Sequence, residues 1–321
     1  MSLIEKAVER LSQLKQAGEM PVPEGVAEAM PPVSSAPSGA ASRTERGASL
    51  QAGSGPRELI QRGAPGARTV ELDLARLTLA GMVTPDLPRS VIAEEFRVIK
   101  RPLIHNAQGR GAGAIANGNL IMITSSLPAE GKSFTAVNLA MSIAMELDHT
   151  VLLVDADFSR PSILSKFGLP PQKGLMDVLV GDVADLSDVL LRTNVEKLSI
   201  LPAGMPHQRA TELIASDAMI RMLEDMASRY AERIIVFDSP PLLATTEARV
   251  LAQHMGQVVV VVESDRTTHG TVKQALSTIE ACPVKLMVLN KAAEGGRGNL
   301  YGYGYGYGYG YGADSRSETA A

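Results

Sequence analysis

The 321-residue chain has one cysteine, Cys282, and no tryptophan, and aromatic residues make up only 4% of it. A lone thiol excludes an internal disulfide framework and fits a reducing compartment. There is no basic excess either: 31 Lys plus Arg stand against 35 Asp plus Glu, a net charge of −4. That balance argues against a nucleic-acid partner, because nucleic-acid binders are usually basic. Long hydrophobic runs are missing. The longest, around Leu120–Thr124 and Val258–Val262, are strand-sized and fall well short of the roughly 18 residues of a membrane span. The N-terminus carries no hydrophobic signal core. The expectation is a cytoplasmic protein. At 45% hydrophobic and 21% charged residues, the composition is that of a globular protein with a sizeable core.

What is present is unevenly placed. Six of the seven tyrosines sit together at Tyr301, Tyr303, Tyr305, Tyr307, Tyr309 and Tyr311, alternating with glycine. Near the other end, Leu3, Ile4, Ala7, Val8, Leu11 and Leu14 form one apolar helical stripe, with Ser2 and Glu5 placed as a capping box. Residues 18–67 then hold seven Pro and eight Gly without a period, the composition of a disordered linker. From about Thr69, apolar strand runs alternate with helical stretches. The strands are expected at Leu120–Ser125, Val151–Asp155, Leu198–Pro202, Arg233–Asp238, Val258–Glu263 and Val284–Asn290. The helices are expected at Arg89–His105, Lys132–Leu147, Ala210–Tyr230, Thr246–Gln253 and Thr267–Ala281. This alternation predicts an α/β fold with a mostly parallel sheet covered by helices on both faces. The expected organisation is an amphipathic helix over 1–17, a linker over 18–68, a P-loop domain over 69–291 and a flexible tail over 292–321.

The segment Ser126-Leu-Pro-Ala-Glu-Gly-Lys-Ser133 follows a strand and opens a helix. It matches the P-loop pattern except that Ser126 replaces the first glycine. The backbone N–H groups of such a loop, with the helix N-terminus behind them, hold phosphate oxygens. Lys132 supplies a cation to the β- and γ-phosphates and Ser133 a hydroxyl to Mg²⁺. The expected nucleotide contacts are Ser126, Pro128, Ala129, Glu130, Gly131, Lys132, Ser133 and Phe134. A second strand ends in Asp155-Ala-Asp157, whose carboxylates would point to one side if the chain stayed extended. Either acid could hold Mg²⁺ or act as a base on an attacking hydroxyl. A third strand ends in Asp238-Ser-Pro-Pro241, where an acid usually completes the metal site of a P-loop enzyme.

The loop motif, Asp-Ala-Asp-Phe-Ser-Arg160-Pro161, Leu-Pro-Ala-Gly204 and Phe-Asp-Ser-Pro-Pro together resemble the bacterial tyrosine kinases, over about residues 90–311. The resemblance implies a P-loop NTPase-like fold and an ATP- and Mg²⁺-dependent protein-tyrosine autokinase. It assigns Lys132 and Ser133 to ATP·Mg²⁺, Asp155 to the base, Asp157 and Asp238 to the metal, Arg160 to a phosphate or interface contact, and Asn290 to the adenine edge. It makes the six tail tyrosines the phosphoacceptors. It further implies regulation of exopolysaccharide synthesis or export, a separate membrane polysaccharide co-polymerase as activator, a tyrosine phosphatase, and recruitment to the inner face of the membrane. The long N-terminal extension resembles the kinases of exosortase-linked loci. Glu94, Arg97 and Lys100 are similar to the family's oligomerisation motif, with Lys100 for its last arginine. Glu94, Arg97 and Arg101 share one helix face, so a ring-like homo-oligomer is expected. Two alternatives stand beside this. One is a partitioning-type P-loop ATPase acting as a dimer switch, disfavoured because Leu127 occupies that family's signature-lysine position. The other is a nucleotide-binding scaffold.

Six phosphates on the tail would add roughly −9 to −12 charges. Residues 292–311 span at most about 65–70 Å, long enough to reach a neighbouring subunit.

Overall fold

The computed structural model describes residues 68–109, 114–229 and 232–292. The N-terminal helix, nearly all of the linker, and the tyrosine tail fall outside the described residues. Arg68, the last residue of the expected linker, already belongs to a strand.

Eight strands form one sheet: β1 (Arg68–Val70), β2 (Leu120–Ser125), β3 (Thr150–Asp155), β4 (Leu191–Thr193), β5 (Leu198–Leu201), β6 (Arg233–Asp238), β7 (Gln257–Glu263) and β8 (Val284–Asn290). Their order is β1-β4-β5-β3-β6-β2-β7-β8, and every pairing is parallel except β4 with β5. The expected α/β architecture is therefore present. β2, β3 and β6 are almost wholly buried because helices cover both faces, which is why they read as continuous apolar runs. Successive side chains feed two separate cores. Ile121, Ile123, Val151 and Leu153 enter one; Leu120, Met122, Leu152 and Val154 enter the other. The edge strand β8 alternates half-buried with exposed residues.

The helices are α1 (Leu74–Leu79), α2 (Val91–Ala107), α3 (Lys132–Ala144), α4 (Ile163–Phe167), α5 (Leu175–Val180), α6 (Ala210–Ile214), α7 (Asp217–Arg229), α8 (Thr246–Ala252) and α9 (His269–Ser277). Every residue of α3 from Thr135 to Ala144 is buried, the polar Thr135, Asn138 and Ser142 included, so the helix behind the P-loop is a core element. The single helix expected over 210–230 is two. The Ser216 hydroxyl donates to the Leu213 carbonyl at 2.7 Å and accepts the Met219 N–H at 3.3 Å, ending one helix and capping the next. Thr268 caps α9 by accepting the Thr271 N–H at 3.2 Å, so that helix starts later than expected.

The outer face of α2 needs a correction at Lys100, which is 3% exposed. It falls on the buried stripe with Ala93, Phe96, Leu103 and Ile104, at positions 0, 3, 7, 10 and 11 of the helical period. Its ammonium pairs with Glu146 at 2.7 Å and donates to the Ser142 carbonyl at 2.6 Å. Lys100 therefore cannot offer its charge to a neighbouring subunit; it fastens α2 to the C-terminal end of α3. Glu94 and Arg97 pair with each other on the surface, and Arg101 leans on Glu146 at 3.3 Å. Lys100→Ala is expected to cost about 2 kcal/mol, because it empties the buried Lys100 site on the α2 stripe and takes the 2.7 Å partner from the half-buried Glu146. Glu94→Ala should cost under about 0.5 kcal/mol, because it breaks only an exposed pair. Urea unfolding of the two variants checks the contrast.

Candidate active site

The site lies at the carboxyl ends of β2, β3 and β6, where parallel sheets bind ligands. Pairing register brings them level: Ile123 sits opposite Asp238, and Asp155 opposite Asp238. β2 runs into the loop over residues 126–131 and then into α3. Leu127, Pro128 and Ala129 are exposed at the crest of the loop, while Ser126 and Glu130 are buried. Ala129 has φ +70° and Gly131 φ +104°. The φ at 131 favours glycine, and an added Cβ there would stand 2.0 Å from the Asn290 amide nitrogen and push that side chain off the loop. Phe134 turns away and packs on the core.

Four charged groups meet behind this loop. The Lys132 ammonium donates to Asp157 at 2.7 Å and lies 3.7 Å from Asp238. It also sits 3.3 Å from the Ser133 hydroxyl. Burial alone would lower the Lys132 pKa, but the Asp238 and Asp157 carboxylates outweigh it and hold the group above its usual range. Asp238 is 0% exposed; neither of its carboxylate oxygens accepts a well-formed hydrogen bond, and the Lys132 ammonium and the Ser133 hydroxyl are the nearby groups that favour its charge. Its burial pushes its pKa up to about 6, despite the opposing pull of Lys132.

Asp155 and Asp157 take different partners, because β3 ends at Asp155 and the chain leaves the extended conformation there. Asp155 accepts the Ser162 and Ile163 N–H groups on Oδ2, both at 2.9 Å, and the Asp157 N–H on Oδ1 at 3.3 Å. Burial, and then the neighbouring Asp238 charge, raise its pKa to about 7 even against those amides. Asp157 spends Oδ2 on Lys132 and Oδ1 on the Arg160 N–H at 3.0 Å. Arg160 itself is exposed. Lys132, Ser133, Asp155, Asp157 and Asp238 are thus brought together.

Glu130 enters the site through its backbone only. Its carboxylate accepts the Leu127 N–H at 2.7 Å and a hydroxyl bond from Thr267. Asn290, at the end of β8, reaches the loop and donates to the Glu130 carbonyl at 2.9 Å. Lys291 and Thr267 also touch the loop and had no sequence signal. Their partners are more than 130 residues away, and a single lysine or threonine in a connecting segment announces nothing. Among the described residues no group of three or more His, Cys, Asp or Glu is arranged to hold a metal by itself. No described helix is long and apolar enough to cross a membrane.

Comparison with known proteins bears on this arrangement. The model of the AAA domain family (AAA_31) matches residues 119–291, more than half of the chain. The tyrosine-protein kinase YwqD of Bacillus subtilis is 30% identical over 200 residues, covering 62% of this chain and 80% of its own length. The succinoglycan biosynthesis transport protein ExoP of Rhizobium meliloti is 33% identical over 214 residues, which are 65% of this chain and 26% of that much longer protein. Among solved structures, the chimerical protein CapA2B2 superposes with a TM-score of 0.58 at 28% identity, covering 72% of this chain and 96% of that one. On these matches the chain belongs to the bacterial tyrosine kinases, P-loop enzymes that are protein-tyrosine kinases.

Proposed function

We propose that the chain is an ATP- and Mg²⁺-dependent autokinase that phosphorylates its own tail at Tyr301, Tyr303, Tyr305, Tyr307, Tyr309 and Tyr311. Transfer runs between subunits of a ring-like homo-oligomer. The observation that carries this is the Lys132 ammonium between Asp157 and Asp238 directly behind the phosphate loop. Such a cation stabilises charge that develops on a transferring phosphoryl group.

The residues present fit Mg²⁺. The two unpartnered, buried oxygens of Asp238 and the Ser133 hydroxyl are hard oxygen donors, and Asp157 is next to them. Mg²⁺ favours one or two carboxylates completed by substrate phosphates over an all-protein cage, in keeping with the lack of a self-sufficient metal cluster among the described residues. When bound, the ion supplies neutralisation of phosphate charge.

The remaining work falls to side chains and loop amides. The 126–131 amides and Lys132 bind and orient the phosphates, and Asn290 borders them. Asp155 takes the tyrosyl proton. With a pKa of about 7, it is partly ionised at neutral pH and well matched to general-base work. Its Oδ1, held only by a 3.3 Å contact, is the oxygen available for that proton. The tyrosyl oxygen then bonds to the γ-phosphorus, the bond to the bridging oxygen breaks, and ADP leaves.

The role is regulation of exopolysaccharide synthesis or export. ExoP's name, a succinoglycan biosynthesis transport protein, supports this role; the partner in this reading is a separate membrane polysaccharide co-polymerase that activates the kinase and brings it to the inner face of the membrane. Residues 1–17 are the candidate recruiting segment, and a tyrosine phosphatase resets the tail.

The test mixes Lys132→Met protein, tail intact, with active protein whose six tail tyrosines are Phe. Phosphopeptide mapping after ATP·Mg²⁺ is expected to find label on the tyrosines of the inactive chain, at a rate rising with concentration. Label confined to wild-type chains, at a concentration-independent rate, would mean transfer within one chain and would remove the basis for the ring.

A further inference from the structure

The last residues before the tail grip the phosphate loop. Asn290 Nδ2 donates to the Glu130 carbonyl at 2.9 Å, and Lys291 Nζ donates to the Ala129 carbonyl, also at 2.9 Å. Lys291 is anchored from behind by Glu263 at 3.2 Å. It has φ +57°, a left-handed conformation that a non-glycine residue holds only where its surroundings impose it. From the other side, the Glu130 carboxylate accepts the Leu127 N–H and the Thr267 hydroxyl. The Ser264 N–H completes the bracket by donating to the Asn290 carbonyl at 2.9 Å.

A trans peptide unit is planar, and its C=O and N–H point in opposite directions. The Ala129 carbonyl shares its plane with the Glu130 N–H, and the Glu130 carbonyl shares its plane with the Gly131 N–H. Holding both carbonyls towards β8 therefore turns both N–H groups the other way. Those are the two amides just before Lys132, where a phosphate loop presents its donors. Preset donors cost no reorganisation when the charge arrives.

We infer that Asn290 and Lys291 are positioning residues that preset the phosphate-binding amides of the loop. The inference deepens the proposed function and rests on the loop being the nucleotide site.

The test measures Kd for ADP·Mg²⁺, KM for ATP, kcat and Tm in full-length Lys291→Gly, Lys291→Arg and Asn290→Ala. Glycine relieves the left-handed backbone while removing the ammonium, so a role in stability and a role in positioning predict opposite results. Lys291→Gly is expected to keep or raise Tm and yet weaken ADP about tenfold. Its KM for ATP should rise in step, with kcat at saturation changed much less. Arg should restore most of the affinity, and Asn290→Ala should resemble Gly. If all three bind ADP within twofold of wild type, the clamp is wrong while the kinase reading stands. A Tm loss that accounts for all lost activity, with unchanged Kd in the folded fraction, also overturns it. Wild-type protein that binds no nucleotide would instead remove the reading on which the clamp rests.

Discussion

Lys132→Met is expected to lower tail phosphorylation about 10²- to 10³-fold, the loss seen when one preorganised donor to transition-state charge is removed. The side chain is only 12% exposed and stands 2.7 Å from Asp157 and 3.7 Å from Asp238, so no surface cation can take its place. The substitution also leaves the buried Asp238 without its counterion. Its protonated form becomes further favoured, and the variant should lose stability at pH 8 while keeping most of it at pH 5.5. Lys132→Arg retains the charge but not the compact shape, and should fall between the two. The checks are initial rates of tyrosine labelling and thermal melts at the two pH values. A Met variant that labels at the wild-type rate would displace the phosphoryl-transfer site from this loop.

Much of this site was legible in the sequence because its parts are local. The phosphate loop is one continuous segment. Asp155 and Asp238 end apolar runs whose length marks them as buried parallel strands, and β2, β6 and β8 begin and end where the pattern placed them. The strands and helices that were missed are the short ones. β1 and β4 have three residues each, and α4 and α5 five and six. Segments of that length show no resolvable period and form only because the sheet edge or the loop after β3 receives them. α4 has a purpose no periodicity displays: the first N–H of the helix helps neutralise Asp155. Lys100 misled for a different reason. Motif matching places it beside Glu94 and Arg97, whereas the apolar stripe through Ala93, Phe96, Leu103 and Ile104 places it inside, and burial followed the stripe. The bracket around the loop was illegible because Glu130 meets Thr267 and Asn290 across 137 and 160 residues.

Asp238→Asn is expected to move stability and function in opposite directions. Asp238 and Asp155 have folded-state pKa values raised to about 6 and about 7, from ordinary values near 3.8. The folded protein therefore keeps protons that the unfolded chain releases between about pH 4 and 7. The stability contributed by these groups is fully present below pH 4 and is lost as pH rises through 6 and 7. Lys132 has the complementary shift upward, so its contribution is present throughout the neutral range and is lost only in strong alkali. At pH 8 the nucleotide-free wild type must keep an ionised Asp238 with no hydrogen bond to either oxygen. Asparagine removes that charge at nearly constant volume. The Asn variant should therefore exceed wild type by up to roughly 3 kcal/mol at pH 8, on the scale of about 1.4 kcal/mol per pKa unit. The gap should close towards pH 5, where wild-type Asp238 is protonated. The same change removes, among the described carboxylates of the site, the one with neither oxygen in a well-formed hydrogen bond, so the Mg²⁺-dependent part of nucleotide stabilisation should vanish and labelling should fall at least 10²-fold. Chemical unfolding across pH 5 to 8, with and without ADP·Mg²⁺, measures both effects in one series. An Asn variant less stable than wild type at pH 8 would mean that attraction to Lys132 exceeds the cost of burial, and Asp238 would then be a structural ion-pair partner. A more stable variant that still gains stability from Mg²⁺ would move the metal to Asp157 and Ser133.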